Sequence, residues 1–115
     1  MPAKNVDLTI EQGTTFVQAI IAQDSTETPI DVSGYSARMQ VRATHGSANT
    51  LIDLLSPADI DVGGADGMFT VNIADTVTAA LTPGSAVYDF EMIDGLGNVT
   101  RVIEGAALIT PEVTR

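Results

Sequence analysis

From residue 35 to residue 42 the chain alternates without a break. Tyr35, Ala37, Met39 and Val41 fall on one side, and Ser36, Arg38, Gln40 and Arg42 on the other. Side chains of a β-strand point to opposite faces in turn, so this run reads as a strand with one dry and one wet face. The same period returns at residues 68–73, with Phe69, Val71 and Ile73 inward. It returns again at 86–93, where Tyr88, Phe90 and Met92 oppose Val87, Asp89 and Glu91. One-sided strands must be covered by something, and a second sheet is the economical cover.

Composition points the same way. Thr, Val and Ile make up 35 of the 115 residues, a bias toward residues that suit a pleated, half-buried surface. Further strand-like runs lie at 6–10, with Val6, Leu8 and Ile10 on one face, and at 14–22. The second becomes apolar on both sides at 19–22, which predicts a central, well-covered strand. Residues 30–32 read as a short edge strand, 50–55 as a strand, and 60–62 as a short one. Asp75 is placed to cap a helix over 76–81 whose buried face is Val77, Ala80 and Leu81, with Pro83 and Gly84 ending it. Residues 94–98 form a hairpin loop. The chain pairs back over 99–104, and Gly105 marks a bulge before 106–110. Spacing this short, punctuated by Gly, Pro, Asp and Ser, predicts an all-β, two-sheet antiparallel sandwich of seven or eight strands with one short helix. The whole chain, 1–115, reads as one domain with short arms at 1–5 and 111–115.

Charge excludes several functions. The net charge is −10, and the five basic residues are Lys4, Arg38, Arg42, Arg101 and Arg115. Binding nucleic acid or an anionic membrane needs clustered Lys and Arg, so neither partner is expected. Without cysteine there is neither a disulfide nor a thiolate metal site. No basic leader followed by an apolar run opens the sequence, and no stretch approaches the ~20 apolar residues that span a bilayer; synthesis in a cytoplasm is expected.

Candidate chemistry is thin. Nucleophilic catalysis of the Ser-His-Asp kind would have to use His45, which sits in a loop of small polar residues, and no G-x-S-x-G elbow is present. Asp59 with Asp61, and Asp89 with Glu91, would each share a strand face. Paired carboxylates can hydrolyse glycosides, but a sugar cleft is usually lined with aromatics, which are 4% here, with no Trp. Asp59, Asp61 and Asp66 flank Gly63 and Gly64. That group reads either as oxygen ligands for Ca²⁺ or as a solvated acidic loop, and it does not match the EF-hand pattern. No catalytic residue, cofactor or metal is therefore assigned. Arg38 and Arg42 share a polar strand face, which is either a surface for intersubunit ion pairs or a solvated one. Arg101, Lys4 and Arg115 join them as candidate contacts between subunits.

Several segments together resemble a known family. They are D-L-T-I-E-Q-G-T-T-F at 7–16, T-P-I-D-V-S-G-Y-S-A-R-M-Q-V-R at 28–42 and A-D-G-M-F-T-V-N-I at 65–73. To these add T-x-x-L-T-P-G leading into V-Y-D-F-E at 87–91, and G-N-V-T-R-V-I-E-G followed by P-E-V-T-R. The chain resembles small structural proteins of tailed bacteriophages, above all the N-terminal Ig-like domain of baseplate upper proteins and related fibre-attachment modules. The resemblance implies an Ig-like fold and a non-enzymatic role in the virion, docking on the tail, baseplate or fibre attachment region. It implies other virion proteins as partners and a homo-oligomer or ring-bound copies. A capsid decoration protein and a carbohydrate-binding adhesion module using Tyr35 or Tyr88 are the alternatives.

Overall fold

A computed structural model describes residues 3–113. It holds two sheets and one short helix. In chain order the elements are β1 (Lys4–Asn5), β2 (Leu8–Glu11), β3 (Phe16–Ile21), β4 (Ser36–Arg42), β5 (Ile52–Leu55), β6 (Ile60–Val62), β7 (Met68–Ile73), α1 (Asp75–Ala79), β8 (Gly84–Ile93) and β9 (Val99–Thr110). The larger sheet runs β1-β9-β8-β4-β5, with β2 also on β9; the smaller runs β3-β7-β6. β1 and β2 are two parts of one edge, so the strand positions number eight.

The alternating runs form the strands expected of them. Ala37, Met39 and Val41 of β4, Phe69, Val71 and Ile73 of β7, and Tyr88, Phe90 and Met92 of β8 are all buried. Their rows meet between the sheets. Phe69 of the smaller sheet and Phe90 of the larger stand edge to face, ring centroids 5.3 Å apart, and neither is exposed. Burying a side chain of this size contributes ~1.5–3 kcal/mol, so the row of such residues is the main stabilising term.

The sandwich is not antiparallel throughout. β1 and β2 run parallel to β9, in the registers Lys4↔Ile103 and Leu8↔Ala107. The edge breaks at Val6 and Asp7. The Val6 amide donates to the Glu104 carbonyl at 2.8 Å, the Tyr88 hydroxyl donates to the Val6 carbonyl, and the Asp7 carboxylate accepts from the Ala106 amide at 3.1 Å. Gly105 makes this approach possible, because a Cβ there would lie 2.4 Å from the Val6 carbonyl oxygen. The bulge expected at Gly105 is instead at Val102. Phe90 pairs with Ile103 and Glu91 with Arg101, leaving Val102 as the extra residue. The bulge lets Val102 and Ile103, neighbours in sequence, both be buried.

Four further expectations are corrected. β3 is an edge strand, paired only with β7, and Val17 and Ile21 lie exposed on its outer side. Residues 30–32 form no strand. They are held by single bonds, the Ile30 amide to the Ala22 carbonyl at 2.9 Å and the Val32 amide to the Gly64 carbonyl at 3.0 Å, which seat Val32 in the core. Ala74, not Asp75, is the N-cap of α1; it makes no side-chain cap bond, and Asp75 lies in the first turn. The helix buries Thr78; of the expected apolar face Val77 and Ala80 are exposed, and Leu81, just past its end, is buried. The Thr78 hydroxyl donates to the Thr14 carbonyl at 2.7 Å, so the helix is fastened by a polar bond rather than an apolar stripe.

Candidate functional site

The outer face of the larger sheet gathers most of the singled-out charges. Cross-strand register puts Arg38 opposite Glu91 and Glu91 opposite Arg101, and puts Gln40 opposite Asp89 and Asp89 opposite Glu104. Period two points all six outward, because their neighbours in sequence line the core. Arg38 Nε lies 2.7 Å from Glu91 Oε1, Arg101 Nε 3.5 Å from Asp89 Oδ2, and Arg101 Nη1 3.5 Å from Glu104 Oε1. Arginine and carboxylate therefore answer one another within the chain. Solvated pairs of this kind contribute only ~0–1 kcal/mol each. Burial, then the neighbouring Glu91, holds the Asp89 carboxyl above the usual carboxylate range, with Arg101 pulling it back.

Arg42 has a different task. Its guanidinium donates to the Ser47 carbonyl at 2.8 Å, the Ala48 carbonyl at 3.1 Å and Gln40 Oε1 at 2.9 Å. It pins the 43–51 loop to β4, a planar fork serving three acceptors. Lys4 lies on another edge of the molecule, beside a crevice of about 210 Å³ that it shares with Ile21, Gln23, Asp24, Glu27 and Ile103. Arg115 falls outside the described residues. The structure thus brings Arg38, Arg42 and Arg101 to one face and sets Lys4 apart from them.

The other candidates separate. His45 is exposed on the 43–51 loop, at the rim of an open depression of about 150 Å³ that Asp89, Arg101 and Glu104 also line. Both of those carboxylates face Arg101, and no ion pair joins His45 to either among the described residues. Asp59 lies in the turn before β6 rather than on a strand, where its carboxylate accepts from the Leu55 amide at 3.3 Å. Asp61 accepts from the Asn72 side chain at 3.2 Å, and Asp66 from the amides of Gly64 and Met68 at 3.2 and 3.1 Å. Among the described residues no group of three or more His, Cys, Asp or Glu is arranged to hold a metal ion. Tyr88 is buried, and burial followed by the Asp7 charge pushes its phenol up to about 12. Its ring is part of the core and offers no stacking face to a sugar.

Turn carboxylates account for three more acids besides Asp66. The Thr26 hydroxyl at Asp24, the Ser33 hydroxyl at Asp31, the Met68 amide at Asp66 and the Asn98 side chain at Asp94 each hold the carboxyl below its ordinary value. These acids shape loops by capping amides, as Asp in turns does. Gln12, which lies between the strand-like runs at 6–10 and 14–22, acts as a clasp. Its side-chain amide donates to the Leu81 carbonyl at 2.8 Å, and its carbonyl accepts from the Glu112 amide at 2.9 Å. Contacts spanning 69 and 100 residues leave no local mark in a sequence.

No family model matches the chain, and no curated protein matches it. Among solved structures it is similar to the N-terminal domain of phage TP901-1 ORF48. The TM-score is 0.55 at 13% identity, covering 95% of this chain and 90% of that one. At that identity the likeness is one of fold, and it spans most of both chains. No helix among the described residues is long and apolar enough to cross a membrane.

Proposed function

We propose that this chain is a non-enzymatic structural protein of a bacteriophage virion, docking on the tail, baseplate or fibre attachment region as an assembly module. The observation that carries this reading is the likeness in fold, over most of its length, to a domain of a phage protein. The strand order supports an Ig-like assignment within it. β3-β7-β6 corresponds to the B-E-D sheet of such domains, and β9-β8-β4-β5 to G-F-C-C′. The site geometry agrees with assembly rather than turnover. Arg38 and Arg101 are matched to acids of their own sheet, Arg42 holds a loop, and His45 stands exposed with no acidic partner among the described residues. Such a module works through surfaces and strand edges with other virion proteins, in several copies. It has no call for nucleic acid or membrane, and its negative charge keeps free copies dispersed.

Mass spectrometry of purified particles, with tails separated from heads, tests the reading. The chain is expected in intact particles and in the tail fraction at a fixed multiple of the tail proteins. Its absence from particles, or its presence in heads alone, overturns the assignment.

A further inference from the structure

Four segments border the open edges of the two sheets, and β3 differs from the rest. The β1–β2 edge carries Lys4 and Glu11 and breaks at Val6; β5 carries Asp53; β6 is three residues long and carries Asp61. These are the usual protections of a free edge: charge, interruption and brevity. β3, Phe-Val-Gln-Ala-Ile-Ile, has six residues, with no charge, no proline and no bulge. Its outward row is apolar as well. Val17 is 60% and Ile21 48% exposed, with exposed Ala19 between them.

We propose that β3 is a seam between two copies of this chain, paired antiparallel about a two-fold axis through Ala19. The register follows from the pleat. Residues opposite one another must share a face, so with the axis normal to the sheet their numbers are equal in parity. Centring on Ala19 sets Ala19 against Ala19 of the second copy, and Val17 against its Ile21. The outward rows then form one apolar band, with the smallest side chain where the strands cross. The inward row pairs Gln18 with Ile20 of the second copy; the Gln18 side-chain amide, which in the free chain donates to the Ala19 carbonyl at 3.0 Å, releases that carbonyl as the seam closes. The two smaller sheets become one sheet of six strands.

The strand's own symmetry selects a second copy as the occupant: about Ala19 the exposed row of Val17, Ala19 and Ile21 is apolar read in either direction, so each copy supplies what the other exposes. Two chains of net charge −10 repel across any charged surface, and β3 is the one open edge among the described residues that itself carries no charge, with Lys4, Asp24 and Glu27 lining the crevice beside Ile21. A seam of six residues is small beside standard interfaces, so the expected association is weak for free chains and stronger where a larger assembly holds copies side by side. The inference goes beyond the virion assignment and stands if that assignment fails.

Sedimentation equilibrium of the wild-type chain, up to about 0.5 mM, should show a monomer–dimer equilibrium, the weak regime a small interface implies. Ala19→Glu and Ala19→Lys should each weaken it at least tenfold, since each sets like charges face to face across the axis. Mixing the two variants should restore it, because Glu and Lys then oppose each other. Leu55→Gln, which removes an exposed apolar side chain from the β5 edge at constant charge, should leave it unchanged. A test needing no variant is amide hydrogen exchange of the wild type, in which residues 16–21 should slow with rising concentration. A wild type that stays monomeric, a dimer indifferent to Ala19→Glu, a mixture that fails to recover, or exchange at 16–21 that ignores concentration overturns the proposal. If β3 instead accepts a strand from a different protein, the wild type stays monomeric and the proposal fails.

Discussion

At the scale of single residues, Tyr88 and Asp89 are neighbours with opposite faces and related consequences. The Tyr88 phenol is pushed up to about 12 by burial and by Asp7, so the folded state holds its proton more tightly than the unfolded state does. The stability this contributes is complete below the ordinary phenol value near 10 and is lost as pH rises from there toward 12. Urea unfolding of the wild type should show that decline. Tyr88→Phe should flatten it, while losing ~1 kcal/mol at neutral pH with the bond to Val6. Asp89 points out of the sheet. Its carboxyl is also raised, by burial and then Glu91, so folding disfavours its ionised form and its contribution falls as pH rises through the carboxylate range. Asp89→Asn should therefore melt higher at pH 7, by about 1–3 °C once solvent screening is allowed for, and match the wild type near pH 3. A lower melting temperature at pH 7 would show that the Arg101 pairing outweighs burial and repulsion.

At the scale of elements, the N-terminal edge depends on one position of the opposite strand. A Cβ at Gly105 would meet the Val6 carbonyl oxygen at 2.4 Å and its carbon at 2.9 Å, both backbone atoms that cannot swing aside. Gly105→Ala should cost ~1–3 kcal/mol, as overpacking does, and should speed hydrogen exchange selectively across residues 4–11. Gly95→Ala, in open space, should do neither. Gly105 was legible as special, but not the reason, because its neighbour in space is 99 positions away. β4, β7 and β8 were legible because each is buried on one face, and burial on one face is what period two records. β3 misled because apolar residues on both faces are written alike for a covered strand and for one awaiting a neighbour. The helix misled because Thr78 is buried for a hydroxyl bond to Thr14, and no apolar period announces such a bond. Of the candidate site, the shared face of Arg38 and Arg42 could be read from spacing. Their intrachain partners, Glu91 on β8 and the loop after β4, depend on a strand order that spacing does not contain.

At the scale of the whole molecule, the decisive quantity is a charge of −10 on a body 42 × 26 × 23 Å across. Two surfaces compete as the place where copies meet, and they respond to salt with opposite sign. The outer face of the larger sheet carries Arg38, Arg42 and Arg101 among Asp53, Asp89, Glu91 and Glu104. Copies joined there would exchange arginine–carboxylate pairs, which screening weakens. β3 itself has no charge to screen. Salt would act on it only by quieting the repulsion between two acidic bodies, and so would strengthen it. Raising NaCl from about 50 to about 500 mM shortens the screening length from roughly 14 Å to roughly 4 Å, well inside the width of the molecule. Self-association measured across that range should tighten several-fold. A dimer that loosens with salt would place the contact on the arginine face, where Arg38→Gln would then weaken it and Ala19→Glu would not.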